Sequence, residues 1–361
     1  MKIDDIFNNV EAIYIANPIG QEIVPDLNFY YFTRLLDTGI SEGASIFLSK
    51  NRKVIIVGEL EEKDAKRSGF EVMVTKNKND KEEILKKLLK DKKKIGVSFP
   101  SLTLQEFSYL KDKFPILEFI DISPMIQEIR SIKDDFEITL IKNAAKIAGE
   151  SLEEALNYLK EGITEKEIAS QLSILFIKNG ADGNSFTPIV SFGENSADQH
   201  HFPGLRKLKK GDFVLIDIGA KYMRYNSDIT RTYIFGKGDE KQKRIYSTVK
   251  KVQEVGLNAL KDGVNGTEVQ NAMRKFIDTT EFKEHCNYGA NACNLVGHGI
   301  GLAVHDYEAI PGALLKNNMV ITVEPGIYLK DFGGVRIEDD VLIKENGYEI
   351  LSTIDKKYRE I

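Results

Sequence analysis

The sequence predicts two domains: an α/β domain over residues 1–127 and an α+β domain over residues 128–361 that is built from two related halves. Three observations predict this fold class. The chain has 361 residues, more than one typical compact domain. Its first part alternates short apolar runs with charged amphipathic segments, and its second part contains a segment that recurs at an offset of 101 residues.

Alternating patterns predict the N-terminal domain. Ser45–Ser49 and Lys53–Gly58 are apolar runs typical of strands, a Lys- and Glu-rich amphipathic helix is expected over Asp80–Lys90, and a strand over Lys94–Ser98. This domain contains no histidine and no carboxylates at ligand-like spacing, so we expect a structural or specificity role.

Helix-capping patterns and the repeat organise the second domain. Ser131–Asp134 resembles a capping box that opens a long helix, and Thr164–Glu167 opens the next. Leu159–Ile163 (LKEGI) recurs as Leu260–Val264 (LKDGV). Each copy precedes a β-rich stretch that contains acids, which predicts two related halves.

Composition excludes several classes of protein. The formal net charge of -5 argues against a nucleic-acid partner, since such proteins usually contain a basic domain. No stretch approaches the roughly 18–20 apolar residues that span a bilayer, so no membrane partner is expected. The start of the chain lacks the pattern of a signal peptide, and Cys286 and Cys293 lie outside any CxxC motif. We therefore expect a cytoplasmic protein with reduced thiols.

Two aspartates stand in a predicted β-hairpin over Asp212–Phe235. Asp217 lies inside the first strand and Asp228 at the start of the second, although aspartate is disfavoured in strands and costly to bury. A cation would relieve their mutual repulsion. The alternative is that Asp228 caps a turn and Asp217 pairs with an arginine such as Arg231.

The second half repeats this pattern with glutamates. Met319–Ile343 contains two strand-like runs joined by a loop with Gly333 and Gly334, and Glu324 ends one run while Glu338 lies within the next. Unrelated surface salt bridges would have to explain the same pattern twice.

The glycine-rich segment between the hairpins supplies an imidazole. Gly297–His305 contains two of the five histidines, and glycine lets the backbone approach a ligand closely. Neutral imidazole is the commonest metal-binding side chain. Beside four carboxylates, His298 is interpreted as a ligand rather than as a satisfied core histidine.

The candidate ligands form a hard, oxygen-rich set. They are Asp217, Asp228, His298, Glu324 and Glu338. This set suits manganese, cobalt, iron or zinc in a two-metal arrangement better than one structural zinc. Two ions about 3.5–4 Å apart can bridge a water that hydrolyses amides or phosphoesters. Few arginines lie near the motifs to neutralise phosphate, so peptide hydrolysis is favoured.

Four motifs in order, DIGAKYMRYNSDITRT, GHGIGLAVH, TVEPGIY and GGVRIED, resemble the pita-bread metallopeptidases: prolidase (Xaa-Pro dipeptidase), aminopeptidase P and methionine aminopeptidase. The N-terminal half is similar to the creatinase-type domain of the first two. The resemblance implies a creatinase-like domain at 1–127 and a pita-bread catalytic domain with a pseudo-twofold repeat at 128–361. The spacing of 14 positions between the two glutamates is typical of the prolidase and aminopeptidase P branch.

The resemblance also implies roles. The five ligands would hold two divalent ions per subunit, manganese or cobalt first and zinc or iron as alternatives, with Asp228 and Glu338 bridging them. Glu324 would shuttle protons, His305 would stabilise the tetrahedral intermediate, and Arg336 would contact the substrate.

The implied substrates are small peptides with proline at the second position, cleaved by a metal-bridging hydroxide in a homodimeric enzyme. His200 falls where the family places its substrate-site histidine, with His201 as a structural neighbour. Glu308 and Ala309 stand near the place where many dipeptidases carry a substrate-binding arginine. An aminopeptidase P activity on longer peptides is therefore the alternative to a dipeptidase.

Two interpretations from other classes are a non-catalytic binding protein on the same fold and a metal-free hydrolase like creatinase. The complete ligand set, together with His305, disfavours both.

Overall fold

The computed structural model describes residues 3–18, 25–40, 42–286, 295–306 and 311–361. It divides into two compact units, Met1–Arg130 and Ser131–Ile361, whereas the sequence places the division after residue 127. None of the described helices combines the length and the apolar character that crossing a bilayer requires.

A twisted sheet forms the centre of the N-terminal unit. Within its described residues the strand order is β4-β3-β2-β1-β5-β6, and every neighbouring pair is parallel except the two that involve β2. The strands are β1 Ala12–Ala16, β2 Ser45–Ser49, β3 Arg52–Gly58, β4 Glu71–Thr75, β5 Lys94–Val97 and β6 Glu118–Asp121. The three strands predicted from the sequence are therefore confirmed.

Helices separate these strands along the chain, except that β3 follows β2 directly. They are α1 Ile3–Ile6, α2 Leu27–Thr33, α3 Glu62–Ala65, α4 Lys78–Leu89, α5 Leu104–Lys113 and α6 Ser123–Ser131. The predicted helix corresponds to α4, which begins slightly earlier because Asn77 and Asp80 form its capping box. Tyr14, Phe47 and Leu85 belong to the buried apolar cluster of this unit.

Two helical hairpins carry the repeat in the second unit. Its helices are α7 Asp135–Ala155, α8 Glu165–Lys178, α9 Glu240–Ala259 and α10 Gly266–Ile277. The repeated LK-acid-G segment connects each pair, and its glycines, Gly162 and Gly263, have left-handed φ values of 87° and 79°. The Gly162 N–H donates to Leu208 O, and the Gly263 N–H donates to Leu315 O, each at 2.9 Å. The repeat therefore has the same backbone geometry in both halves.

The start of α7 differs from the prediction. Asp134, not Ser131, is the N-cap, because its side chain accepts the N–H of Glu137 at 2.8 Å while Glu137 accepts the N–H of Asp134 at 3.0 Å. Ser131 instead ends α6. The second predicted box, Thr164–Glu167, is confirmed at the start of α8.

Both predicted hairpins are present, and each is interrupted in the middle. The strands of the second unit are β7 Gly183–Asn184, β8 Ile189–Phe192, β9 Phe213–Ile218, β10 Ala220–Tyr222, β11 Tyr225–Asn226, β12 Ile229–Ile234, β13 Val320–Val323, β14 Gly326–Leu329, β15 Gly333–Arg336, β16 Asp339–Lys344 and β17 Gly347–Ile350. In the first hairpin β9 pairs with β12 and β10 with β11; in the second β13 pairs with β16 and β14 with β15, all antiparallel.

Gly333 and Gly334 correct one prediction, because they begin strand β15 rather than forming a loop. A Cβ on Gly333 would lie 2.6 Å from Gly193 O, and one on Gly334 would lie 2.5 Å from Ser196 O. These glycines are needed where the 3-10 turn Gly193–Ala197 packs closely against the strand.

Candidate metal centre

The four predicted carboxylate ligands lie at or beside the interruptions of the two hairpins. Asp217 is inside β9, and Asp228 immediately precedes β12. Glu324 immediately follows β13, and Glu338 immediately precedes β16 rather than lying within a strand. Where the hydrogen-bonded pairing of two strands is interrupted, side chains no longer alternate strictly between the two faces of the sheet. The four carboxylates can therefore converge.

Thr230 joins the two hairpins at the centre of the site. It lies opposite Asp217 in the β9–β12 register. Its carbonyl accepts the N–H of Glu338 at 3.1 Å, and its hydroxyl donates to Glu338 Oε2 at 2.6 Å. The carboxylates of the two halves are thereby brought into one site.

His298 completes a compact group of donors. Asp228, His298 and Glu338 each offer a ligand atom, and these atoms lie within 4.8 Å of one another. His298 Nε2 lies 3.5 Å from Asp228 Oδ2 and 3.8 Å from Glu324 Oε1. The structure thus brings four of the five predicted ligands together directly.

The backbone around His298 orients its ring. The N–H of His298 donates to Thr322 Oγ1 at 3.1 Å, and Thr322 Oγ1 donates to Glu324 Oε1 at 3.0 Å. His298 Nδ1 lies 3.2 Å from Gly299 O. A proton on Nδ1 would bond that carbonyl and leave Nε2 as the electron-pair donor facing the carboxylates, which is the arrangement that metal-binding histidines favour.

Burial of the acids and repulsion among them shape the electrostatics of the site. Burial, together with the charges of Glu338 and Asp217, raises the pKa of Asp228 well above its usual value. Burial and the charges of Glu324 and Asp217 likewise raise the pKa of Glu338. Asp217 Oδ1 is buried and has no hydrogen-bond partner among the described residues. These donors fit divalent cations, which would bond the orphaned oxygen and neutralise the carboxylates.

Arg336 holds the fifth ligand. It donates to Asp217 Oδ2 at 2.5 Å, to Thr230 Oγ1 at 3.0 Å and to the Tyr328 hydroxyl at 2.8 Å. Burial opposes its charge, but Tyr328 and Asp217 outweigh burial and raise the pKa of Arg336. The suggestion that Asp217 pairs with Arg231 is therefore wrong in its partner, because Arg231 pairs with Asp339 at 2.7 Å.

The two adjacent histidines have different surroundings. His201 Nε2 lies 2.8 Å from Glu165 Oε2, a carboxylate that is fully buried. His200 is exposed, and the carbonyl of the preceding Gln199 accepts a 3.5 Å hydrogen bond from Arg336. Arg336 therefore connects the His200 segment to the group that holds Asp217.

His305 lies at the edge of the site. Its exposed ring packs edge-on against that of His298, with centroids 4.1 Å apart and an interplanar angle of 89°. The segment at 307–310, which contains Glu308 and Ala309, lies outside the described residues, as does Cys293.

Sequence reasoning missed several supporting residues. Asp340 Oδ2 accepts the N–H of Asp228 at 3.1 Å, and buried Asp339 pairs with Arg231 and with Lys356, the latter at 2.6 Å. The signal was available, since Glu338–Asp340 is a run of three acids before the apolar residues VLI. Thr230 and Tyr328 carried no comparable signal, because their partners are distant in sequence.

A donor set of four carboxylates and one imidazole, gathered where two related hairpins meet, is typical of a metal-dependent hydrolase. Comparison with known proteins identifies the family. Residues 139–345 match metallopeptidase family M24, and residues 8–132 match the creatinase/prolidase N-terminal domain. The chain belongs to this family.

Relatives match nearly the whole chain. A protein of Pyrococcus furiosus named Xaa-Pro dipeptidase is 34% identical over 353 residues, which cover 97% of this chain and 95% of that one. The crystal structure of the X-Pro aminopeptidase from Thermotoga maritima matches with a TM-score of 0.90 at 33% identity over 98% of both chains. The prolidase from Pyrococcus furiosus matches with a TM-score of 0.84 at 33% identity, covering 97% of this chain and 99% of that one. The predicted fold class and family branch are confirmed.

Proposed function

We propose that this chain is a metal-dependent Xaa-Pro dipeptidase, a hydrolase that cleaves the bond before proline in small peptides. The observation that carries the proposal is the convergence of Asp228, His298, Glu324 and Glu338 beside the orphaned oxygen of Asp217. The near full-length similarity to a protein named Xaa-Pro dipeptidase supports the substrate class.

We infer that two divalent ions bind at this site, manganese or cobalt first and zinc or iron as alternatives. The residues that would hold them are Asp217, Asp228, His298, Glu324 and Glu338. When bound, the ions supply Lewis-acid activation of water and of the scissile carbonyl. The number and identity of the ions can be measured by elemental analysis of the purified protein.

The side chains around the donors have separable roles in this proposal. Glu324 is more exposed than Asp228 and is oriented by Thr322, so it can take a proton from the attacking water and pass it to the leaving nitrogen. His305 and His200 present exposed imidazoles that can donate hydrogen bonds to the substrate and to the developing oxyanion. Arg336 orients Asp217, and its contact with Gln199 O extends this support to the substrate-side segment.

The choice between dipeptides and longer peptides is tested by comparing Ala-Pro with Ala-Pro-Ala, as free acids and as amides, under each of the four metals. We expect metal-dependent cleavage with Ala-Pro as the better substrate and Ala-Ala as the uncleaved control. Preference for Ala-Pro-Ala would assign an aminopeptidase P activity instead. Absence of cleavage with every metal would refute the proposal.

We also infer a cytoplasmic homodimer whose creatinase-like domain spans residues 1–127 and whose catalytic domain spans 128–361. The assembly is what the family resemblance implies, and the sparse cysteines support the compartment. Light scattering should give twice the chain mass of 40.7 kDa, whereas a monomer mass would contradict the dimer.

A further inference from the structure

A buried ion pair lies beside the proposed ligands and has no role in the function described above. Lys133 Nζ lies 3.7 Å from Asp306 Oδ2, and the two side chains are only 1% and 4% exposed. Burying two charges costs desolvation that their attraction only partly repays, so such a pair is weak evidence of added stability. Asp306 directly follows His305, whose own side chain is exposed.

The segment that carries His305 is held at several points. Asn226 Nδ2 donates to Gly301 O and to Leu302 O, both at 2.9 Å, and the N–H of Asn226 also donates to Gly301 O. The N–H of Asp306 donates to Gly299 O at 2.9 Å. The backbone is thus fixed before and after His305, while its ring is exposed and packs edge-on against that of His298.

Lys133 is itself anchored to the strand that leads to Glu324. Its N–H donates to Asn318 O at 2.9 Å, and the preceding Ile132 forms a β-bridge with Met319. Met319 immediately precedes β13, and Glu324 immediately follows that strand. The Lys133 side chain therefore connects the base of this strand to the residue after His305.

Gly301 shows how closely these groups pack. A Cβ at Gly301 would lie 2.3 Å from Asp306 Oδ2 and 3.2 Å from Lys133 Cε. No side chain can be placed there without displacing the ion pair, so the glycine and the pair form one packed unit. The position of Asp306 is accordingly set by contacts on more than one side.

We propose that Lys133 is a positioning residue for His305. Through its buried pair with Asp306, it sets the place of the His305 backbone relative to the strand that ends at Glu324. This inference rests on the proposed peptidase function for its kinetic consequence, but the positioning itself can be observed without catalysis.

The experiment compares Lys133→Met, Lys133→Arg, Asp306→Asn and the double variant Lys133→Met/Asp306→Asn with the wild type. The matched control is Lys142→Met, which breaks the exposed pair with Glu349 in the same unit. For each zinc-bound protein, we measure kcat and KM on Ala-Pro, metal content and melting temperature. Histidine side-chain NMR spectra are recorded on the same zinc-bound proteins. The chain has five histidines, so the His305 signal can be assigned from its absence in His305→Gln.

We expect Lys133→Met to lower kcat by roughly 10- to 100-fold with KM and metal content nearly unchanged, since small misplacement of a catalytic group has effects of this size. The His305 signal should shift or broaden, while the signal of His285, an exposed residue at the end of the 3-10 turn Lys283–His285, stays fixed. Lys133→Arg should recover part of kcat, and the double variant should lose less than the product of the single losses.

Unchanged kcat and an unchanged His305 signal alongside a lower melting temperature would overturn the proposal, as would a loss of activity that follows metal content. If Lys133→Met does not fold, the proposal is tested with Asp306→Asn and the double variant instead. The same changes in kcat, metal content and the His305 signal then support or overturn it. An inactive wild type would refute the peptidase function alone, because the NMR comparison would still test the positioning.

Discussion

Asp217, Asp228 and Glu338 are side chains that a folded protein buries only with compensation. Arg336 compensates one of them, and burial together with the remaining negative charge raises the pKa of Asp228 and of Glu338. At the scale of single residues the site is therefore under electrostatic tension that cations would relieve. Small residues around it decide whether the donors can approach one another.

Gly297→Ala should disrupt the site. The residue has φ of 90°, and a Cβ would lie 2.0 Å from Thr322 Oγ1 and 2.4 Å from Glu324 Oε1. Alanine would force Glu324 out of place, so we expect reduced metal content and loss of peptidase activity. Elemental analysis and assays of the purified variant provide the measurement.

Gly263→Ala is the matched control for that change. Its φ of 79° imposes a similar cost of about 1–2 kcal/mol on a non-glycine residue, but nothing lies within 4 Å of the added Cβ. It should lower stability and leave metal content intact. Equal metal content in both variants would show that the contact at Gly297 does not matter.

At the scale of elements, strand interruptions and one buried helix-start residue shape the site. Glu165 is the first residue of α8, and it accepts the backbone N–H groups of Phe192 and Gly204 at 2.9 and 3.0 Å. It also bonds Asn195 at 2.9 Å and His201 at 2.8 Å. One carboxylate thus organises the whole segment that presents His200.

Glu165→Gln should loosen that segment. The amide of glutamine has one acceptor oxygen in place of the two of the carboxylate, so at least one of these bonds would be lost and a buried donor would be left without an acceptor. We expect faster hydrogen–deuterium exchange over residues 192–204 and a higher KM. Glu167→Gln, an exposed change in the same helix that preserves the capping box, should alter neither. Equal exchange in the two variants would contradict the role of Glu165.

At the scale of the whole molecule, metal binding should contribute to folding stability. Ions that bind only the native state stabilise it by about 2.7 kcal/mol at a free concentration a hundredfold above Kd. Treatment with chelator should therefore lower the denaturant midpoint, and added manganese or cobalt should restore it. Asp228→Asn, which removes one donor, should respond much less. An equal metal response in that variant would place the stabilising ions elsewhere.

Local sequence patterns were sufficient to predict many elements of this protein and the acids of its candidate site. Thr164–Glu167 opens a helix because capping depends on residues three positions apart, and the strands Ser45–Ser49 and Arg52–Gly58 follow from short apolar runs. The acids of the site were conspicuous because carboxylates in apolar strands need an explanation. The repeated LK-acid-G segment indicated two halves, and the matching glycine bonds confirm them.

Contacts between residues that are distant in sequence decided the features that local patterns could not predict. The sequence shows that Asp217 needs a partner, but Arg336 and not the nearer Arg231 provides it, 119 positions away. Gly333 and Gly334 read as a loop because the 3-10 turn that packs on them is remote in sequence. The pair of Lys133 with Asp306 likewise depends on chain segments that meet only in the folded state. By itself, then, the sequence determined the family, the helix start at Thr164 and the acidic and imidazole residue types of the candidate site, since these depend on neighbouring residues. Only the tertiary structure decided which charges pair and which residues hold the donors, because those contacts join positions that local chemistry cannot relate.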